Sequence, residues 1–330
     1  MKKIFIAVLF VFISSMCAWS KPGTLKFNEE GKFKILQLTD LHMALGNPKS
    51  DIAYENIKNV VAAENPDLIL VTGDLIYSSP AKDIFNYVMD FLSSFNIPYA
   101  ITFGNHDHQF GLDNDALFSL AKKYPLCLST DVRGLTGTGN CEIGVKGSNG
   151  KDALMLYCFD SGDLSPLKDS GVKGYSYIHA DQIAWYVRKS KEHAKNNGGQ
   201  PLPSLAFFHI PFPEYSYAIN DDQWKCLGHK GEKPCAPLLN TGLFAAMKER
   251  GDVMGTFCGH DHDNDYAVNY YGILLSYGRF TGGDTEYNNL KPNGARVIEL
   301  KEGAKSFDTW IRLRTGEIEQ KTTFPTDFKK

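Results

Sequence analysis

Beyond residue 30 the chain repeats one pattern: a short apolar run rich in β-branched residues, a polar or glycine-containing turn, then a segment with apolar positions three and four apart. The runs 34–39, 67–72, 99–103, 154–159, 205–208 and 253–258 are strand-sized. Between them 51–63, 81–95, 116–124, 181–196 and 242–250 carry the periodicity of amphipathic helices. The pattern predicts an α/β fold whose helices cover a sheet. After His262 strand candidates follow closely, at 266–268, 273–277, 296–300 and 309–313, and predict a second sheet packed on the first. Two stretches lack such regularity, 133–150, dense in glycine, and 211–237, dense in aromatic, proline and charged residues. Both are long enough to be functional loops, and the second, directly after His209, predicts a pocket wall. No repeat or flexible linker divides the chain, so residues 21–330 read as one domain, its core over 33–300 and its second-sheet strands within 266–315.

The first twenty residues differ: Lys2 and Lys3, an apolar run over 4–13, then small and polar residues to Ser20. This is the pattern of a secretory signal peptide over residues 1–20, and it predicts export to a periplasmic or extracellular space. The run is too short to span roughly 30 Å of hydrocarbon, so stable membrane insertion is not expected. A lipid anchor at Cys17 is disfavoured by Ser15 and Met16 before it. Six cysteines remain beyond Cys17, an even number compatible with disulfides in an oxidising compartment. Cys226 and Cys235, flanking a loop, are the favoured pair, whereas Cys158 and Cys258 lie in apolar runs and read as buried thiols.

Across its 330 residues the chain is 43% hydrophobic and 22% charged, ordinary values for a folded globular protein. A formal net charge of −3 offers a polyanion no overall attraction, so nucleic acid is not expected as a partner. Oligomeric state leaves no sequence signal.

The informative chemistry is the placement of polar residues at strand ends. Asp40, Asp74, Asn105, His209 and His260 each fall at or just past the carboxyl end of a predicted strand, the edge where open α/β sheets bind ligands. His42 and His262 lie two residues beyond Asp40 and His260. Carboxylate, amide and imidazole donors without cysteine suit Mn, Fe or Zn in a reactive site rather than a structural zinc cage. Asp74, at the centre, can bridge two cations and offset their repulsion. Each piece alone is weak, since a Gly-Asp pair is usually a turn and a histidine after a strand is usually a core group. Their ordered combination predicts a dinuclear site.

Asp40-Leu-His42, Gly73-Asp74, Gly104-Asn-His-Asp107, His209 and Gly259-His-Asp-His262 together resemble the signature of the calcineurin-like metallophosphoesterases, complete and in order over about residues 33 to 300. The stretches 207–215 and 259–266 are similar to the short purple-acid-phosphatase-like branch of that family. The resemblance implies a four-layer αββα sandwich with two mixed central sheets and the metal site at the C-terminal ends of strands. It implies one metal held by Asp40, His42, Asp74 and His262, and another by Asp74, Asn105, His209 and His260. It further implies that His106 protonates the leaving oxygen or stabilises the transferring phosphoryl group, with Asp107 orienting it. The expected activity is hydrolysis of a small phosphorylated substrate by a water activated between two metal ions, a phosphomonoester before a phosphodiester such as a cyclic nucleotide or phospholipid head group. A non-catalytic scaffold is a third reading, disfavoured because every ligand position is filled.

Three further residues are candidates. Tyr77, in Gly73-Asp-Leu-Ile-Tyr77, resembles the iron-binding tyrosine of true purple acid phosphatases and competes with His42 for one seat, His42 being favoured because Asp-x-His is intact. His108 could touch substrate or be a solvated loop histidine. Arg279 could grip a phosphate oxygen or be an ordinary arginine.

Overall fold

A computed structural model describes residues 24–329, so the leader segment 1–20 lies outside the described residues. The elements run β1 (Lys32–Leu38), α1 (Ser50–Glu64), β2 (Leu68–Thr72), α2 (Ala81–Ser94), β3 (Tyr99–Thr102), α3 (Asn114–Ala121), β4 (Cys141–Lys146), β5 (Asp152–Cys158), α4 (Ala180–Asn196), β6 (Ser204–Phe207), α5 (Glu214–Ile219), β7 (Cys226–Leu227), α6 (Leu243–Arg250), β8 (Val253–Cys258), β9 (Ala267–Tyr270), β10 (Ile273–Tyr277), β11 (Gly294–Lys301), β12 (Phe307–Leu313) and β13 (Ile318–Phe324).

Period-2 alternation along β1 sends its residues into two different cores. Phe33 and Ile35 face the second sheet, while Leu36 and Leu38 face the helices. One sheet has the order β13-β12-β11-β1-β2-β3, the other β4-β5-β6-β8-β10-β9-β7. Strands β1, β2 and β3 are parallel, as are β5, β6, β8 and β10, with antiparallel strands toward the edges, so both sheets are mixed. An apolar layer containing Leu70, Leu156, Leu205, Phe207 and Leu274 is sealed between them. Amphipathic α1, with Ala53, Ile57, Val60 and Val61 inward, packs with α2 and α3 on the outer face of the first sheet. Helices α4 to α6 cover the outer face of the second, through Trp185, Tyr215 and Met247. The result is a four-layer αββα sandwich. Among the described residues no helix is long and apolar enough to cross a membrane.

The strands after His262 do not form the second sheet by themselves. β9 and β10 extend the sheet of β8, whereas β11 crosses back to pair antiparallel with β1 and carries β12 and β13 with it. Hydrophobic spacing identifies strands but not their partners, which long-range packing selects. The glycine-dense stretch 133–150 contains β4, whose Cys141, Ile143 and Val145 point inward at alternate positions. The stretch 211–237 contains α5 and β7. Cys226 and Cys235 are not bonded to one another: both are free and exposed, Cys226 paired opposite Val268 in β7 and Cys235 donating its backbone N–H to Asp261.

One ion cluster ties α1 to the first sheet. Glu64, at the end of α1, accepts from Trp310 Nε1 at 2.9 Å, Arg312 Nε at 2.6 Å and Lys34 Nζ at 3.3 Å. Burial opposes its charge, but these donors overcome it and hold the carboxyl below its ordinary value. A depressed carboxyl stabilises the fold above its unfolded-state pKa, and that contribution disappears as pH falls through the folded one. Glu64→Gln is therefore expected to lower Tm at pH 7 and to converge on the wild type in acid, a trend readable by thermal melts between pH 7 and 3.

Candidate metal centre

Asp40 follows β1, Asp74 follows β2, Asn105 follows β3, His209 follows β6 and His260 follows β8. The first three strands belong to one sheet and the last two to the other, so the residues gather where the C-terminal edges of both sheets meet. Reaching that point requires backbone turns that side chains rarely adopt: φ is 53° at Asp40, 44° at His42, 52° at Asp74 and 79° at His260. Each such residue costs of order 1–3 kcal/mol and persists because its surroundings hold it. Here the turns are tied to one another: Asp40 N–H donates to Gly73 O at 3.1 Å, His42 N–H to Asp74 O at 2.9 Å, and His260 N–H to the Asp40 carboxylate at 3.1 Å. Gly73, at φ 89°, has no alternative, since a Cβ there would stand 2.5 Å from His209 Nδ1 and 2.8 Å from Gly104 N.

The protonation pattern decides what the centre can hold. His209 Nδ1 lies 2.8 Å from Thr72 O, and a carbonyl only accepts, so Nδ1 carries the proton and a neutral ring leaves Nε2 as a bare lone pair. That lone pair faces Asp74 Oδ2 at 3.1 Å, Asn105 Oδ1 at 3.1 Å and His260 Nδ1 at 3.3 Å. His262 repeats the arrangement: Nδ1 donates to Tyr287 O at 2.7 Å, and Nε2 faces His42 Nε2 at 3.1 Å and Asp40 Oδ1 at 3.6 Å. Nitrogen and oxygen donor atoms thus crowd together in two adjacent places, an arrangement that a cation in each would satisfy. Asp74 Oδ2 lies between them, 3.1 Å from His209 Nε2 and 3.7 Å from His42 Nε2. The groups Asp40, His42, His262 and Asp40, Asp74, His209 are each close enough to surround one ion, and every member is buried.

Electrostatics agree. Burial, with neighbouring histidines, pushes His42 down to about 4 and His260 to about 3, keeping both rings neutral and able to donate lone pairs. Burial also opposes charge on His209, but Asp74 and Asp40 push it up to about 10. The carboxylates therefore draw a positive charge to this spot, and without metal a proton on His209 supplies it. The donor set fits two metal ions.

The remaining candidates fall elsewhere. Asp107 does not touch His106. Its Oδ1 accepts the N–H groups of Leu75 at 2.7 Å and Ile76 at 3.2 Å, its Oδ2 those of Gly104 at 2.8 Å and Asp74 at 3.0 Å. It clamps the backbone that presents Asp74. The orienting partner of His106 is Gln109, whose Oε1 accepts from Nδ1 at 2.9 Å while its Nε2 donates to Asn105 O at 3.0 Å. Gln109 belongs to no motif, and only the tight 3-10 turn Asp107–Phe110 brings it beside His106. Asp107→Ala is accordingly expected to cost roughly 3 kcal/mol or more, because four buried amides lose a charged acceptor. Gln109→Ala should leave Tm within a degree or two, so paired thermal melts separate clamp from orienter.

Tyr77 donates its hydroxyl to Glu286 Oε1 at 2.8 Å, and burial together with that carboxylate pushes it up to about 12, whereas His42 turns its Nε2 into the centre, 3.1 Å from His262 Nε2. His108 pairs with Asp163 at 3.2 Å. Arg279 is buried, with Nη1 on Asp265 Oδ2 at 2.5 Å and Nε and Nη2 on Pro292 O at 3.2 and 2.7 Å. Its donors are consumed by the fold, which rules out a grip on phosphate. The stretch 211–237 does reach the centre, through Glu232, which accepts Asp263 N–H at 2.8 Å and the Tyr287 hydroxyl.

Known proteins share this organisation. The family model described as calcineurin-like phosphoesterase matches residues 33–264. "Probable inactive purple acid phosphatase 14" from Arabidopsis thaliana is 31% identical, over 88% of this chain and 80% of its own. "Phosphatase DCR2" from Saccharomyces cerevisiae is 28% identical, over 88% of this chain and 55% of its own. Among solved structures, a dimetal phosphatase from Danio rerio superposes with a TM-score of 0.61 at 13% identity, over 88% of this chain and 98% of its own. That level of identity speaks for the fold alone. The family match, extending over both halves of the metal centre, and the plant relative together make this chain a calcineurin-like metallophosphoesterase of the purple-acid-phosphatase-like branch, a hydrolase of phosphoric ester bonds.

Proposed function

We propose that this chain is an active, exported phosphomonoesterase working on small phosphate esters. The observation that carries the reading is the buried convergence of two carboxylates, an amide and four imidazoles, with a carbonyl on Nδ1 of His209 and of His262 turning each Nε2 toward the other donor atoms. The name of the Arabidopsis relative includes the word inactive, but here Asp40, His42, Asp74, Asn105, His209, His260 and His262 are all present and all converge. A scaffold would have no use for that complete set. Mn, Fe and Zn all suit donors of mixed oxygen and nitrogen type without thiolate.

Two such ions, when bound, would supply Lewis acidity and lower the pKa of a water at the centre. The chain's own contribution is positional. Asp40, Asp74, Asn105 and the four imidazoles would hold the cations, and Thr72 O and Tyr287 O fix the tautomers of His209 and His262. His106, held by Gln109 through Nδ1, keeps Nε2 for the substrate and can protonate the departing ester oxygen. No serine, cysteine or lysine nucleophile is needed.

The leader pattern over residues 1–20 supports export. Turnover of nitrophenyl phosphate by metal-loaded protein is expected to exceed that of bis-nitrophenyl phosphate by about tenfold or more, an effect worth about 1.4 kcal/mol. A faster diester reaction at every pH would reverse the preference, and no turnover of either ester with any of the three metals would leave the scaffold reading.

A further inference from the structure

We propose that the ester accepted at this centre carries a positive charge on its alcohol, as a phosphate ester of a small amino or quaternary-ammonium alcohol. The proposal rests on the phosphoesterase reading and narrows its substrate class. Three tyrosines stand around the centre, each against a different donor histidine. Tyr77 meets His42 edge-on at 5.0 Å and His106 at 5.3 Å, Tyr287 stacks on His262 at 4.3 Å, and Tyr175 meets His260 edge-on at 4.4 Å. Tyr77 and Tyr175 are half-buried and Tyr287 is 47% exposed, so the rings form a rim rather than a floor.

Two carboxylates sit on that rim. Glu286 accepts the Tyr77 hydroxyl at 2.8 Å, and Glu232 accepts the Tyr287 hydroxyl at 3.1 and 3.2 Å. The buried Arg279 contributes nothing here, being bound to Asp265. The phosphoryl end of a substrate finds its positive charge at the metal centre. A leaving alcohol bearing a second anion would be repelled by Glu286 and Glu232. An ammonium would meet carboxylates and the electron-rich faces of phenols, the combination that recognises quaternary amines. Hydrolysis itself is ordinary: the oxygen of water bonds to phosphorus, the P–O bond to the alcohol breaks, and the departing oxygen takes a proton. One ester and one water give phosphate and the free amino alcohol.

The test compares kcat/KM for phosphocholine and for its neutral isostere, 3,3-dimethylbutyl phosphate, on metal-loaded protein. The cationic ester is expected to be favoured by about tenfold or more, with the ratio falling toward one in Glu286→Gln and in Tyr287→Leu. Because the ratio is read within each protein, a lower overall rate in a variant does not obscure it. Equal constants in the wild type, or a ratio unchanged in both variants, would overturn the proposal. So would turnover of nitrophenyl phosphate alone, which leaves the phosphoesterase reading intact. If no ester is turned over, that reading fails by itself, and calorimetric binding of choline against 3,3-dimethylbutanol decides the cation preference separately: tighter choline binding supports it, and equal binding overturns it.

Discussion

Asp74→Asn is expected to reduce the metal content from two ions per chain to less than one and to cut turnover of nitrophenyl phosphate by about a thousandfold or more, the scale lost when a preorganised charge is removed from a reacting centre. The substitution suits the backbone, since asparagine tolerates the left-handed φ of 52° found there. The effect comes from the orientation of the new amide. Asp74 Oδ1 accepts His106 N–H at 2.8 Å, so the amide oxygen must keep that place and the NH2 group must take the place of Oδ2. Its hydrogens would then point at His209 Nε2, 3.1 Å away, and toward His42 Nε2, occupying lone pairs that the cations need. Stability should fall as well. In metal-free protein the protonated His209 pairs with Asp74 at 3.1 Å, so chelator-treated Asp74→Asn, which loses that pair, should melt below chelator-treated wild type. Elemental analysis, a rate assay and two melts complete the measurement. Two ions retained with turnover within tenfold of wild type would remove Asp74 from its bridging place.

The centre was largely legible in the sequence because its donors sit at strand ends, and strand ends are marked by hydrophobic runs stopping at a polar residue. The run ending at Leu38 before Asp40 and the run ending at Phe208 before His209 are local signals of this kind. What the sequence left obscure is what depends on partners rather than on local pattern. Asp107 sits beside His106 in the chain and invites pairing with it, yet its carboxylate turns toward the amides of residues 74 to 76, thirty positions earlier. Arg279 follows a strand and has the right chemistry for phosphate, but Asp265, on the neighbouring chain segment, captures it below the surface. Strand β13 has almost no apolar alternation, with only Phe324 buried, and exists because β12 offers it a free edge. The assignment of β11 to β12 and β13 to the first sheet likewise follows from Ile298, Leu300 and Phe307 filling the space between sheets, a property of the assembled core. The cluster of left-handed residues at Asp40, His42, Asp74 and His260 shows the converse case, in which local preference is overridden to build the centre.

His106→Ala is expected to lower kcat by about 10²–10⁴-fold, the usual contribution of a positioned proton donor, with metal content unchanged because its ring makes no contact that the cations need. The size of the loss should depend on the ester. Nitrophenolate leaves readily as an anion and gains little from protonation, whereas an alkoxide must be protonated as it departs, so an alkyl phosphate should lose more than nitrophenyl phosphate by about tenfold or more. Gln109 makes this prediction sharper. Its Nε2 is fixed on Asn105 O at 3.0 Å, so its Oε1 is the end facing His106 Nδ1; that contact holds one ring proton on Nδ1 and turns Nε2 to the substrate, where the imidazolium form delivers its second proton. Gln109→Ala should therefore reproduce the ester dependence of His106→Ala at smaller amplitude, about tenfold in kcat with KM nearly unchanged, because the ring remains present but turns freely. An equal loss for both esters in His106→Ala would assign the ring to stabilising charge on the transferring phosphoryl group instead, and Gln109→Ala would then lower the two rates in parallel.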